Sequence, residues 1–188
     1  MSPRADLAAA VRRLFWGYLF LLLDFNLNLD GVFTLPLLAN CVDWWLVWKT
    51  VLDLAPWRPS LGLLSPFCAG LGLYNLTQFV PALQALLPGW LGLLVAVVSL
   101  YTHFQLFTDL AALTGEEPAA AHLAPGLLTI RTVLVVCQTA LYCTDLFLRL
   151  PWLAVCVWLL DLAAAVAALV HLGKLHRALA APPQAPAL

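Results

Sequence analysis

Charge is what this sequence has least of. Only 10% of its 188 residues are charged and 63% are hydrophobic, with a mean hydropathy of +0.93, whereas a soluble domain carries about 25% charged residues. A water-soluble fold of this length cannot cover its surface with so few. An excess of positive charge is missing too: the formal net charge is -1 and the pI near 6.4, which leaves no basic face for nucleic acid. The five cysteines, Cys41, Cys68, Cys137, Cys143 and Cys156, are odd in number, lie inside apolar runs and form no CxxC pair. Neither a disulfide framework nor a zinc centre is expected from them, and they read as small buried hydrophobes. The signatures of catalysis are lacking as well. There is no GxSxG, no HExxH and no phosphate-cradling glycine loop, and His171 and His176 are spaced by five, which suits no helical metal pair. No enzyme, no metal and no cofactor is expected.

What the chain has in their place is long apolar runs. Stretches of spanning length, about 20 residues each, occupy residues 7–23, 32–54, 61–83, 89–113, 127–148 and 152–172. They predict an all-α integral membrane bundle of about six transmembrane helices, a single domain over residues 1–179, with a disordered Pro/Ala-rich tail over residues 180–188. The breaks carry turn residues: Asp30-Gly31, Pro56 to Pro59, Pro81 to Gly89, Gly115 to Gly126, and Leu150-Pro151. Pro36 and Pro66 are expected just inside their helices, where a missing N–H costs least. The arginines before the first run resemble a signal peptide, but polar residues follow where a small-residue cleavage site is needed, so the segment is expected to be retained.

Positively charged loops stay cytoplasmic. With the N-terminus inside, Arg4, Arg12, Arg13, Lys49, Arg58, Arg131, Lys174 and Arg177 fall on or near the cytoplasmic side and Arg149 falls outside. Both termini are therefore expected in the cytoplasm, in a multi-pass protein of the cell membrane. Trp57, Trp90 and Trp152 sit at the ends of runs and fit an aromatic belt at the interface.

The stretch from Leu14 to Gly31, LFWGYLFLLLDFNLNLDG, runs straight from apolar sequence into Asp24, Asn26, Asn28 and Asp30. On a helix Asp24 and Asn28 would share one face, and Asn26 and Asp30 would lie nearly opposite, sending one pair toward lipid. In an extended segment the period is two and all four line one side. DFNLN is therefore expected not to be helical throughout, and two placements stand: an external loop, or an unwound segment lining a cavity. Asn26, Asn28, Asp30 and Gly31 match the first half of a calcium loop, but Leu37 stands where the bidentate Glu belongs, which speaks against calcium.

The pattern Phe15-Trp16-Gly17, then Leu23-Asp24-Phe25-Asn26-Leu27-Asn28, then Leu35-Pro36 resembles a group of small, uncharacterised polytopic bacterial membrane proteins that open with an FxG…LDFNLN stretch. In that group the Leu-Pro is followed by an Asp and soon a Gly-Tyr, where this chain has Leu37 and Asn40-Cys41. The resemblance covers the first quarter of the chain. It implies a bacterial polytopic membrane protein and brings no activity or site residue with it.

Ionisable groups inside a spanning helix are costly and usually face the bundle interior or a wet cavity. In the fifth run, Arg131, Gln138, Tyr142, Asp145 and Arg149 are spaced by seven, four, three and four and form one stripe along a helix. That stripe reads either as a row of interhelical hydrogen bonds or as the wall of a polar pathway. Asp161 falls in the middle of the last run, and Ala164, Ala165 and Ala168 on its face let another helix approach closely. A carboxyl group at that depth is expected to bind and exchange protons. His103, in the middle of the fourth run, is either a hydrogen-bonded core residue or the second member of a proton relay with Asp161. Asp43 beside Trp44, Trp45 and Trp48 reads either as a site for a cation or as interfacial residues.

Two functions from different classes follow. The first is a small transporter or solute-binding membrane subunit whose pathway uses Asp24, Asn28, Asp43, His103, Gln138, Tyr142, Asp145 and Asp161 for protons or a small polar or cationic solute, as a homo-oligomer or with a partner subunit. The second is a non-catalytic scaffold that binds another membrane protein through the polar stripe of the fifth run. In both, the bilayer is the surrounding partner.

Overall fold

The computed structural model describes residues 3–22, 26–29, 33–36, 40–77, 86–142 and 150–181. The first helix, α1 (Pro3–Leu22), starts on a proline and carries Asp6 in its first turn, where a carboxylate opposes the helix dipole favourably. Leu7, Val11, Leu14 and Tyr18 recur at helical spacing along it and are all buried. The helix begins four residues earlier than the apolar run at 7–23, so Arg12 and Arg13 lie in its middle rather than at its entrance.

After α1 the chain is extended. Strand β1 (Asn26–Leu29) pairs antiparallel with β2 (Phe33–Pro36), with Asn26 opposite Pro36, Leu27 opposite Leu35 and Asn28 opposite Thr34. From Asn26 to Leu29 the period-two alternation is that of a strand, and no continuous helix runs from Leu14 to Gly31. The second helical run therefore does not start at residue 32. Pro36 restricts Leu35 to extended backbone and has no N–H to give a helix, so it ends a strand instead of opening a helix, and α2 (Asn40–Leu54) begins beyond it.

Prolines open the later helices. Pro59 starts the single turn α3 (Pro59–Gly62) and Pro66 lies in the first turn of α4 (Ser65–Thr77). The run at 61–83 is thus two helices broken at residues 63–64, and its end lies outside the described residues. Next, α5 (Trp90–Glu116) is followed by a 3-10 turn (Ala121–Leu123), α6 (Ala124–Leu141) and α7 (Pro151–Ala180). The fifth run was expected to continue to 148, but α6 is capped at Tyr142, and residues 143–149 lie outside the described residues. The last helix does not stop at 172. It continues through Lys174, His176 and Arg177 to Ala180, about 45 Å in all, longer than a hydrocarbon core of ~30 Å, so its charged end can leave the apolar layer while staying helical. Of the tail, residues 182–188 are not described.

Neighbouring helices run antiparallel. The Thr50 hydroxyl lies 3.5 Å from the Ala10 carbonyl while Gly17 meets Leu46 and Val47, which sets α1 against α2. Arg4 donates to the Ala178 carbonyl at 2.7 Å and His176 pairs with the Ala8 carbonyl at 3.0 Å, which sets α1 against α7 and brings the chain ends to one end of the bundle. Contacts continue from α2 to α4, α4 to α5, α5 to α6 and α6 to α7, closing a ring in chain order. The core is filled chiefly by α5, whose Leu106, Phe107 and Leu110 are fully enclosed, together with Val11, Leu14, Val51, Leu127 and Leu172 from the surrounding helices.

Charge pairs collect at the end where the termini lie. Arg13 pairs with Asp53, and Arg58 reaches Asp109 at 3.7 Å and Glu116 at 3.4 Å. Elsewhere the outer faces are apolar: Trp152, Val155, Trp158 and Leu159 on α7 are all exposed, and only 17% of the most apolar window of that helix is buried. In water such a face would aggregate; in lipid it is solvated. Three helices, α5, the segment Ala121–Leu141 and α7, are long and apolar enough to cross a membrane.

Gly17 sets the closest approach in the bundle between α1 and α2. A Cβ there would lie 3.3 Å from the Leu46 Cβ and 3.4 Å from the Asp43 carbonyl oxygen, neither of which can rotate away. Gly17→Ala is expected to be tolerated with a small loss, and Gly17→Leu to cost about 1–3 kcal/mol by forcing the helices apart, read as a lower unfolding temperature in detergent.

Candidate functional site

Most polar side chains in the apolar part of the bundle are satisfied within their own helix. The hydroxyls of Thr50, Thr102, Thr108, Thr114, Thr132 and Thr139 each donate to the carbonyl four residues earlier, and Asn75 does the same to Leu71. This local bond is the cheapest answer to a polar atom without water.

His103 is different, because its partner is on another helix. It is 5% exposed, and its Nδ1 lies 2.6 Å from the Tyr18 hydroxyl of α1, also 5% exposed. Tyr18 O–H donates to Nδ1 when the imidazole carries its proton on Nε2; in the other tautomer Nδ1–H donates to the tyrosine oxygen. Passing a proton through the pair requires the phenol proton to move to Nδ1, the Nε2 proton to leave the ring and the phenol oxygen to take up another proton, which converts the first arrangement into the second. The ring is held by three aromatic contacts: Tyr18 and Trp44 have centroids 5.5 and 5.4 Å from His103, and Phe107 lies 5.2 Å from Tyr18.

A cavity of about 160 Å³ opens beside this pair, lined by Tyr18, Leu21 and Leu22 of α1, His103 of α5, Gln138 of α6 and Asp161 of α7. Of the carboxyl oxygens of Asp161, Oδ1 is buried and has no hydrogen-bond partner. An orphaned buried acceptor calls for a proton, a water or a ligand atom. At about 160 Å³ the cavity has room for several waters, each of which needs at least ~10–15 Å³, but it lies below the ~300 Å³ at which drug-sized ligands are accommodated.

Of the residues singled out from the sequence, the fold brings together His103, Gln138 and Asp161, from three different helices. Asp43 lies nearby: it is buried, its carboxylate accepts the Trp44 backbone N–H at 2.5 Å in the first turn of α2, and it is within electrostatic range of Tyr18. Its tryptophans disperse, with Trp44 packed on His103, Trp45 exposed and the Trp48 indole N–H donating to the Ser65 hydroxyl, so no aromatic cage forms around Asp43. The stripe of the fifth run splits. Arg131 turns toward α5, donating to the Thr108 hydroxyl at 2.9 Å with its guanidinium 4.3 Å from the Phe104 ring centroid, Gln138 faces the cavity, and Tyr142 is exposed. Asp24, Asp145 and Arg149 lie outside the described residues, and Asn28 is placed only by its position in β1. Two members of the polar interior were not foreseen. Tyr18 hides in an apolar run, although its spacing after Val11 and Leu14 puts it on the buried face, where a tyrosine needs a partner. Asp109, inside the apolar fourth run, is buried and accepts from Gln105 at 2.9 Å as well as facing Arg58.

No family model matches the chain, and neither a curated protein nor a solved structure matches it.

Removing the Tyr18 hydroxyl leaves His103 buried with an unmet bond. Tyr18→Phe is expected to cost about 1–3 kcal/mol in a mixed-micelle unfolding titration. Thr102→Val, which removes only a bond inside one helix, is expected to cost less.

Proposed function

We propose that this chain is a multi-pass protein of the cell membrane, with six helices embedded and both termini cytoplasmic, that passes protons or binds a small polar or cationic solute at the cavity between Tyr18, His103, Gln138 and Asp161. The observation that carries the reading is the unpartnered buried Oδ1 of Asp161 in a cavity it shares with a tyrosine–histidine pair. A carboxylate, an imidazole with two exchangeable tautomers and a phenol are the groups a proton relay needs. Gln138 adds an amide with both donors and an acceptor, suited to orienting a water or a small solute.

Cavity size limits the cargo. At about 160 Å³ the site takes an ion, a few waters or a very small polar molecule. A bacterial kinship through the DFNLN stretch belongs to the same proposal. A scaffold using the stripe of α6 as its docking face is less well supported. Arg131 and Gln138 are both engaged inside the chain, leaving Tyr142 as the outward-facing member among the described residues.

The deciding experiment is proton flux into proteoliposomes after a pH step, followed with a trapped dye. Wild type is expected to exceed protein-free vesicles, while Asp161→Asn and His103→Gln fall to their level and Cys156→Ser, at an exposed position, keeps the wild-type rate. Unchanged flux in Asp161→Asn would sink the relay.

A further inference from the structure

A second concavity lies on the outside of the bundle, between α1 and α7. It is a groove of about 520 Å³ with one cationic end and otherwise apolar walls. Arg12, His176 and Arg177 line the cationic end. Phe15, Trp16, Val166 and Val170 line the remainder, and because α1 and α7 run antiparallel, all four lie farther from the chain termini than the basic group does.

The basic end is short of counter-charge. Arg13 is neutralised by Asp53, and Arg58 by Asp109 and Glu116, but among the described residues neither Arg12 nor Arg177 has a carboxylate partner. Among the described residues no acidic one lines the groove. The Nε of Arg177 is spent on the Gly173 carbonyl at 3.3 Å and the Nδ1 of His176 on the Ala8 carbonyl, which fixes both side chains and leaves the terminal guanidinium nitrogens and Nε2 unused by these bonds. Gly173 keeps the floor open: a Cβ there would stand 3.8 Å from the Phe15 ring and 4.0 Å from Arg177.

The charge order matches one molecule. A bilayer lipid presents its phosphate at the interface and its chains toward the midplane, and cationic side chains at the same level add affinity for anionic headgroups. We propose that the α1–α7 groove binds an anionic phospholipid, with its phosphate against Arg12 and Arg177 and an acyl chain laid along Phe15, Trp16 and Val166. The lipid would bridge the first and last helices, whose direct polar links are the contacts of Arg4 and His176 with backbone carbonyls. The site depends on the chain being membrane-embedded but not on any activity at the Asp161 cavity.

Native mass spectrometry of the full chain titrated with phosphatidylglycerol and phosphatidylcholine tests the charge requirement. Wild type is expected to retain phosphatidylglycerol preferentially, with about a fivefold loss of that preference for each of Arg12→Ala and Arg177→Ala, and with Lys49→Ala, which lies outside the groove, behaving as wild type. Equal retention of both lipids by wild type, or an unchanged preference in the double variant, overturns the proposal. A photoreactive diacyl phosphatidylglycerol in proteoliposomes tests the location on the unmodified chain. Cross-links are expected at residues 12–16 and 166–177, and labelling spread evenly over the exposed faces of α5 and α7 would overturn it.

Discussion

The hydrogen bond between Tyr18 and His103 joins two buried side chains from different helices, and three helices are positioned by it. Tyr18 belongs to α1 and His103 to α5, and Trp44 of α2 packs on the imidazole. An unmet polar group at this depth costs more than most single packing contacts supply, so α1 and α5 cannot slide relative to each other without breaking the pair. The adjoining Gly17 makes the arrangement possible. It removes the side chain that would hold α2 away from α1: a Cβ there would crowd the Leu46 Cβ at 3.3 Å.

Against that background the polar atoms sort into three kinds. Threonine hydroxyls bond back to their own helix and leave the bundle electrically quiet. Charges at the end holding the termini pair across helices, where partial solvation keeps them inexpensive: Arg13 and Asp53 are each about a third exposed or more. Asp161 follows neither pattern. It lies beyond the reach of the basic residues that neutralise Asp53, Asp109 and Glu116, and it keeps an oxygen directed into a cavity beside the one interhelical histidine–tyrosine pair described. Arg4 and Arg131 also leave a nitrogen unpaired, but each bonds through another nitrogen of the same group.

Much of this was readable in the residues, and the parts that were not have definite reasons. Apolar length located the helices because lipid-facing sequence needs no amphipathic pattern. It erred at their ends, because a helix can carry charge past the hydrocarbon edge, as α7 does with Lys174 and Arg177, and because an apolar run can be a strand, as Phe33–Pro36 is. Asp161, His103 and Gln138 were recognisable individually from the cost of placing them in apolar sequence. Their meeting was not, since it depends on the rotation of three helices that no single-helix periodicity determines. Tyr18 escaped notice because a tyrosine counts as hydrophobic in any composition, and its hydroxyl becomes decisive only when its face is known to be buried.

The opening stretch ties these points together. Its alternating polar residues are incompatible with continuing α1, and the chain leaves the helix at Leu22, the last residue of α1 to line the Asp161 cavity. Backbone without a helix needs other partners for its N–H and C=O groups, and β1 supplies them by pairing with β2, with Asn28 set opposite Thr34. A continuous helix would have kept Leu21 and Leu22 inside a regular apolar wall. Ending it there leaves the cavity bounded by the last turn of α1, beside the end of its self-satisfied backbone.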